Sequence, residues 1–326
     1  MVFRWKAKNI VYDLAISRLI QLISLFFLVS LSPFVSHAEH GKTGQYIVGF
    51  AQDTLANDWR AAQVSQLEAA FKKYPNVKFI YTDARGQTAR QIQDIEDLLL
   101  QKVDVLITSP RDAAVMTPVI SQAYKMGIPV VLITRKILTD DYTVLVSPDD
   151  EDIARQAAAY MAKKMNYRGN ILILKGIPTA TTAIARTKGF LKEIGKYKNI
   201  KIVSTINGNY LRADTIREMD DIIGQGIKFD AIYAQSDSMA SGARLVLDKA
   251  GYDTKKMIIV GVDYIKEARD AIRRGEQTAS FVYPTSAAEA AKLTLDIIEG
   301  KKVPRYVKVE SQMVTRENVD KITPIF

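Results

Sequence analysis

The chain has 326 residues, no cysteine, only two histidines and a formal charge of +9 at neutral pH. Without cysteine there is no disulfide, thiolate chemistry or cysteine-held metal, and with the histidines at His37 and His40 none is left in the body for acid–base work. At 48% hydrophobic and 25% charged residues, the composition is that of a soluble globular protein of one or two domains.

In chain order, the first feature is an export signal. Residues 1–38 carry Arg4, Lys6, Lys8 and Arg18 against Asp13, a surplus of three, which leaves +6 for the rest. The apolar run IQLISLFFLVSLSPFV at 20–35 is followed by Ser36-His37-Ala38, small residues in the spacing of a cleavage site. The expectation is a signal peptide over 1–38, cut after Ala38; Pro33 leaves the run short for a membrane span, and an uncleaved anchor is the alternative. The remaining lysines and arginines are scattered among acids with no basic–aromatic stripe, so no nucleic-acid partner is expected.

From Gln45 onward strand and helix patterns alternate without a break. YIVGFA reads as a strand, and Asn57-Asp58 cap the helix WRAAQVSQLEAAFKKY. VKFIYTD, VDVLITS and IPVVLIT are further strands, separated by RQIQDIEDLLLQK with apolar residues at helical spacing and by AAVMTPVISQAYKMG, where Pro118 predicts a kink or a first turn. YTVLV at 142–146 leads into a second half with the same grammar. Its helix DDEDIARQAAAYMAKKM has acids first and lysines last, matching the helix dipole. NILILKG, ARTKGFLKEIGKY, IKIVSTI and TIREMDDIIGQG follow. The stretch 231–263 is a β-α-β unit: strand AIYA, a polar turn, a helix Met239–Ala250 closed by Gly251, and a strand ending on Asp263. KEARDAIRRG, TASFVY, SAAEAAKLTLDIIEG and an extended tail complete the chain. Two successive α/β halves predict two doubly wound parallel sheets. Ligands of such sheets bind at the carboxyl ends of the strands, and a cleft between two lobes faces those ends from both sides.

The residues at those ends are Trp59 and Arg60, then Ser109, Thr134 and Arg135 in the first half. In the second half they are Arg186, Tyr210, Ser236, Asp263 and Tyr283. Aromatic faces that stack on C–H surfaces, guanidinium forks, a carboxylate and small hydroxyls suit a polyhydroxylated ligand. Each residue also has a plainer role open to it: Trp59 packing a lobe, Arg135 and Arg186 in ion pairs, Asp263 capping the next helix.

The motifs ITSPRDAAV, GIPVVLITR, AIARTKGF, YAQSDSMASGA and IVGVDY, spread over residues 45–320, resemble those of the periplasmic sugar-binding proteins of ABC importers, ribose-binding type. The WRAA and AI-x-R-x-K-G-F patterns look most like the galactofuranose-binding branch of that family. The resemblance implies a type I periplasmic binding protein fold, with two doubly wound lobes joined by a three-crossing hinge. It divides the chain into 45–147 plus 284–310 for the first lobe and 148–283 plus 311–326 for the second. It also implies a monomer that closes over a monosaccharide or sugar derivative in the periplasm and delivers it to an ABC permease, with no cofactor and no catalysis. A receptor of the same build that presents its closed form to a sensor kinase or chemoreceptor is the alternative. By position, the ten residues above match the family's ligand contacts.

Two departures stand out. The family usually has aspartate where Thr134 stands, and asparagine at Ser109 and Ser236. A site rich in arginine and poor in carboxylate then leads one to expect an acidic or phosphorylated sugar, or a furanose needing fewer contacts. Arg186→Ala should abolish binding while leaving the unliganded melting temperature nearly unchanged. Enzymatic readings find no support: GxGxxG, GxxxxGK[ST], GxSxG and HExxH are all missing.

Overall fold

Short apolar runs such as VLIT, VVLI and AIYA lack the alternation of a half-exposed strand, and each is buried over its whole length. The computed structural model describes residues 44–326; the expected signal peptide at 1–38 lies outside them. The first half contributes β1 (Tyr46–Gln52), β2 (Val77–Asp83), β3 (Val105–Thr108), β4 (Val130–Ile133) and β5 (Val144–Ser147). The second contributes β6 (Gly169–Lys175), β7 (Ile200–Asn207), β8 (Ala231–Ala234), β9 (Ile258–Val260) and β10 (Ala279–Phe281). The extended tail adds one short strand to each sheet, β11 (Tyr306–Lys308) and β12 (Met313–Thr315).

The sheets run β11-β5-β4-β3-β1-β2 and β12-β10-β9-β8-β6-β7. All pairs in the first are parallel, and in the second only β12 runs antiparallel, against β10. Strand order reverses between β1 and β3, and again between β6 and β8, so each lobe has a crevice at those carboxyl ends. The chain crosses between lobes after β5, after β10 and between β11 and β12.

Helices cover both faces of each sheet. The first lobe carries α1 (Asp58–Phe71), α2 (Thr88–Leu100) and α3 (Ala113–Lys125). The second carries α4 (Asp150–Lys164), α5 (Thr181–Ile194), α6 (Arg212–Gly224), α7 (Asp237–Lys249) and α8 (Lys266–Arg274). The last helix, α9 (Ala287–Ile298), returns to the first lobe, where Ala287 and Ala290 join Val48, Phe50 and Leu67 in one core layer. A second layer holds Ile95, Leu98, Leu106 and Met116. Burying each such side chain fully contributes about 1.5–3 kcal/mol.

Local signals explain the boundaries. Asn57 caps α1 by accepting from the Arg60 amide at 3.1 Å, and Asp112 caps α3 through the amides of Ala114 and Val115. Pro118 sits in the second turn of α3 rather than its first. Helix α7 begins two residues earlier than its apolar pattern suggests, because Ser236 accepts from the Met239 amide and acts as its N-cap. Gly251, at φ +79°, ends that helix in the left-handed region that glycine enters freely.

Candidate functional site

Close packing of α5 on the start of α4 builds the second-lobe wall. A Cβ at Gly189 would lie 2.2 Å from the Glu151 carbonyl oxygen, so only glycine permits this approach. One turn earlier, Arg186 is thereby set beside Asp150: its Nε donates to Oδ1 at 2.7 Å, and a terminal nitrogen donates to the Gln235 carbonyl. The Tyr283 hydroxyl donates to the other Asp150 oxygen at 3.2 Å, and the Arg186 guanidinium lies 4.3 Å from the Tyr283 ring centre. Burial works against the Arg186 charge, but Asp150 and the nearby tyrosines outweigh it and hold its pKa well above the ordinary value. Arg186 is 2% exposed.

On the opposite wall, Arg135 is 1% exposed and donates to Asp53 Oδ2 at 2.7 Å. Arg60 donates to Ser109 Oγ at 2.9 Å and to Gln63 at 3.1 Å, with its Nε 3.5 Å from Asp53 Oδ1. Burial and the neighbouring Arg135 charge bring the Arg60 pKa down to about 10, against the pull of Asp53. Burial alone would push the Asp53 carboxyl up, yet Arg135, Arg60 and Arg111 reverse that and hold it below its ordinary value. Ser109 also lies 3.3 Å from the Thr134 hydroxyl.

Tyr210 forms the floor between the walls. Its ring lies over Gly176, where a Cβ would be 2.0 Å from the ring carbon that carries the hydroxyl. Its hydroxyl pairs with Thr182 at 2.9 Å, and the Arg135 and Arg186 guanidinium groups sit 5.6 and 5.9 Å from its ring centre. Trp59 spans the gap: it starts on a first-lobe helix but packs among second-lobe residues such as Ile153, Tyr233 and Tyr283. Its indole N–H donates to the Tyr283 carbonyl at 2.9 Å, with the two rings 5.7 Å apart.

Nine of the ten predicted site residues line one cavity between the sheets: Trp59, Arg60, Thr134, Arg135, Arg186, Tyr210, Ser236, Asp263 and Tyr283. Ser109 does not line it; it lies behind the wall, holding Arg60 and facing Thr134. Asp53, Thr54, Asn57, Ile177, Thr182 and Asn209 also line the cavity and are not among those ten. Asp53 was detectable as the first charged residue after the apolar run of β1, Asn57 as a cap at the same end. Four lining residues hold positive φ, namely Thr134 (62°), Asn209 (52°), Tyr210 (64°) and Asp263 (118°). Such non-glycine strain gathers where a site must be held in one shape.

The expected arginine-rich lining is present, three arginines against two aspartates, but Arg135 and Arg186 are bonded to carboxylates, Asp53 and Asp150, outside the predicted set. Asp53 faces both Arg135 and Arg60, Asp150 holds Arg186, and Arg111 stands at the rim 3.8 Å from Asp53. Asp263 forms no salt bridge among the described residues, and burial pushes its pKa well above the ordinary carboxylate range despite Arg186. The cavity is tight, about 40 Å3.

The lobes meet directly around it. Asn57 Nδ2 donates to the Tyr210 carbonyl at 2.7 Å, the Ala113 amide to the Thr179 carbonyl at 3.3 Å, and the Lys136 amide to Thr181 Oγ1 at 3.1 Å.

Two facing parallel sheets, three crossings and a polar cavity roofed by both lobes define a closing two-lobed receptor for a small solute. The chain belongs to the periplasmic binding protein domain family, whose model matches residues 48–302. It is 27% identical to the ribose import binding protein of Bacillus subtilis over 304 residues, which is 90% of this chain and 97% of that protein. It is 29% identical to the galactofuranose-binding protein of Escherichia coli, over 72% of this chain and 76% of that one. Among solved structures, the fructose-binding periplasmic domain of a hybrid two-component system matches with a TM-score of 0.81 and 32% identity, over 85% of this chain and 93% of that one. These relatives are binding proteins, and the family is periplasmic.

Proposed function

We propose that this chain is the periplasmic receptor of an ABC importer, capturing a monosaccharide or sugar derivative between its lobes and presenting the closed form to the permease. The observation that carries this reading is the cavity itself. It combines three arginine–carboxylate contacts with the faces of Trp59, Tyr210 and Tyr283, the mixture that hydroxyl groups and sugar C–H surfaces need. Trp59, Arg60, Thr134, Arg135, Arg186, Tyr210, Ser236, Asp263 and Tyr283 contact the ligand, and Ser109 acts through Arg60. The cavity is too tight for a sugar to enter as it stands, so capture requires the lobes to part about the three crossings and then close. The protein works as a monomer exported by its N-terminal segment, and binds without turnover.

Thermal-shift screening of the exported protein against D-ribose, D-galactose, L-arabinose, D-fructose, xylitol, myo-inositol, D-galacturonate and ribose 5-phosphate tests this. At least one sugar should raise the melting temperature; a flat response across the panel would sink the reading. A second reading is favoured by the fructose-binding neighbour from a two-component system, in which the closed lobes signal to a sensor. Stimulation of the ATPase of a reconstituted permease by the liganded protein separates import from sensing.

A further inference from the structure

We propose that Asp53 reads the ligand, standing in for the aspartate that Thr134 lacks, and that it selects an uncharged sugar over a sugar acid or phosphate. The inference rests on the sugar-receptor reading and deepens it.

Asp53 is fully buried and lines the cavity. Its backbone is held on both sides: its amide donates to Gln52 Oε1 at 2.9 Å, and its carbonyl accepts from the Gly86 amide at 2.7 Å. Its carboxylate therefore sits in a fixed place. One oxygen, Oδ2, takes the Arg135 bond. The other, Oδ1, has no hydrogen-bond partner among the described residues, since Arg60 Nε at 3.5 Å faces it without bonding. Arg135 Nε is likewise buried without a partner. A single ion pair in the cavity wall thus keeps an idle acceptor and an idle donor buried beside one another.

Buried polar groups are rarely left in that condition unless something else completes them. A sugar hydroxyl both donates and accepts, so one or two hydroxyls satisfy Asp53 Oδ1 and Arg135 Nε together. A carboxylate or phosphate satisfies only the arginine and sets its lone pairs against Asp53. The donors of the other two cavity arginines are partly taken: Arg186 bonds Asp150 and the Gln235 carbonyl, and Arg60 bonds Ser109 and Gln63. The carboxylate that meets Arg135, at the end of β4, comes from the end of β1. The two strands flank β3, which brings the pair within reach of each other.

The test compares the wild type, Asp53→Asn and Asp53→Asn/Thr134→Asp by isothermal titration with the panel's best neutral sugar and with D-galacturonate. Aspartate tolerates the left-handed backbone at 134, where φ is 62°. Wild-type protein should favour the neutral sugar. Asp53→Asn should bind that sugar at least about 30-fold more weakly and lose preference against galacturonate, and the double variant should recover to within about tenfold. A counter-ion with a purely structural role predicts lower stability with unchanged preference. Neutral-sugar binding kept within about threefold in Asp53→Asn, or a wild type that prefers galacturonate, overturns the inference and leaves the receptor reading intact. A wild type that binds no panel member removes both. Should Asp53→Asn not fold, a crystal structure of the wild type with its best sugar decides. A ligand hydroxyl within about 3.2 Å of Asp53 Oδ1 supports the inference, and none within about 4 Å overturns it.

Discussion

Removing Arg186 is the sharpest single perturbation of this molecule. Arg186→Ala deletes the 2.7 Å bond to Asp150, the bond to the Gln235 carbonyl and the cation resting 4.3 Å from Tyr283. It leaves Asp150, 7% exposed, with only the Tyr283 hydroxyl as a side-chain donor. Breaking one side of a buried pair costs about 3–5 kcal/mol, because the other charge stays desolvated. At roughly 2–4 °C per kcal/mol for a chain of this size, unliganded melting should fall by about 6–20 °C. The expectation of nearly unchanged melting, reasonable for a surface arginine, does not hold for one so buried. The loss also depends on pH. Burial already raises the Asp150 pKa, and without Arg186 it rises further above the unfolded value. A group raised in the folded state stabilises fully below its unfolded pKa and loses that stability as pH rises through the folded one. The variant should therefore lie nearer the wild type at pH 5 than at pH 7.5. Adding Asp150→Asn to Arg186→Ala should recover about 1–2 kcal/mol at pH 7.5 by removing the stranded charge. Urea and thermal denaturation of the three proteins, wild type, Arg186→Ala and the double variant, at both pH values measure this. An Arg186→Ala protein melting within about 2 °C of wild type, or no gain from the second substitution, would refute the argument.

Two further predictions concern the groups behind the cavity wall. Gly176→Ala puts a methyl 2.0 Å from the Tyr210 ring, so the ring must move by about 1.5 Å, straining its bond to Thr182 and its place beneath two guanidinium groups. Sugar affinity should fall about 10- to 100-fold with a smaller loss of stability, read by titration; unchanged affinity would mean that Tyr210 does not shape the site. Asp237 accepts from Ser280 at 2.6 Å, Gln277 at 2.7 Å and the Tyr264 amide at 2.7 Å, yet burial pushes its pKa up to about 6 from an ordinary 3.8. Its stabilising effect is present below 3.8 and lost as pH rises through 6, so the stability difference between wild type and Asp237→Asn should fall by about 2 kcal/mol from pH 4.5 to 7.5. Urea titrations showing a constant difference would exclude an elevated Asp237.

The two sheets were legible because strands of parallel sheets are buried on both faces and read as short unbroken apolar runs, as AIYA and VLIT do. The strands of the tail were not. YVK and MVT are three residues long and partly exposed, and they become strands only by pairing with chain more than thirty residues earlier. Most of the cavity wall was legible for a geometric reason, since strand order fixes where the carboxyl ends meet.

The charge pairing of the site was not legible, and the reason is instructive. A motif records which residue follows which, so Thr134 beside Arg135 reads as a lost carboxylate and the cavity as anion-seeking. The field at a guanidinium depends only on distance, and Asp53, 82 residues away in sequence, lies 2.7 Å from it. Asp150 is a second instance: among the acids at the start of α4 it passes for a partner of the helix dipole, but it is turned inward to Arg186, 36 residues on. A ligand preference deduced only from the residue next to an arginine therefore misses any counter-charge supplied from elsewhere in the fold, as Asp53 at the end of β1 and Asp150 in α4 supply it here.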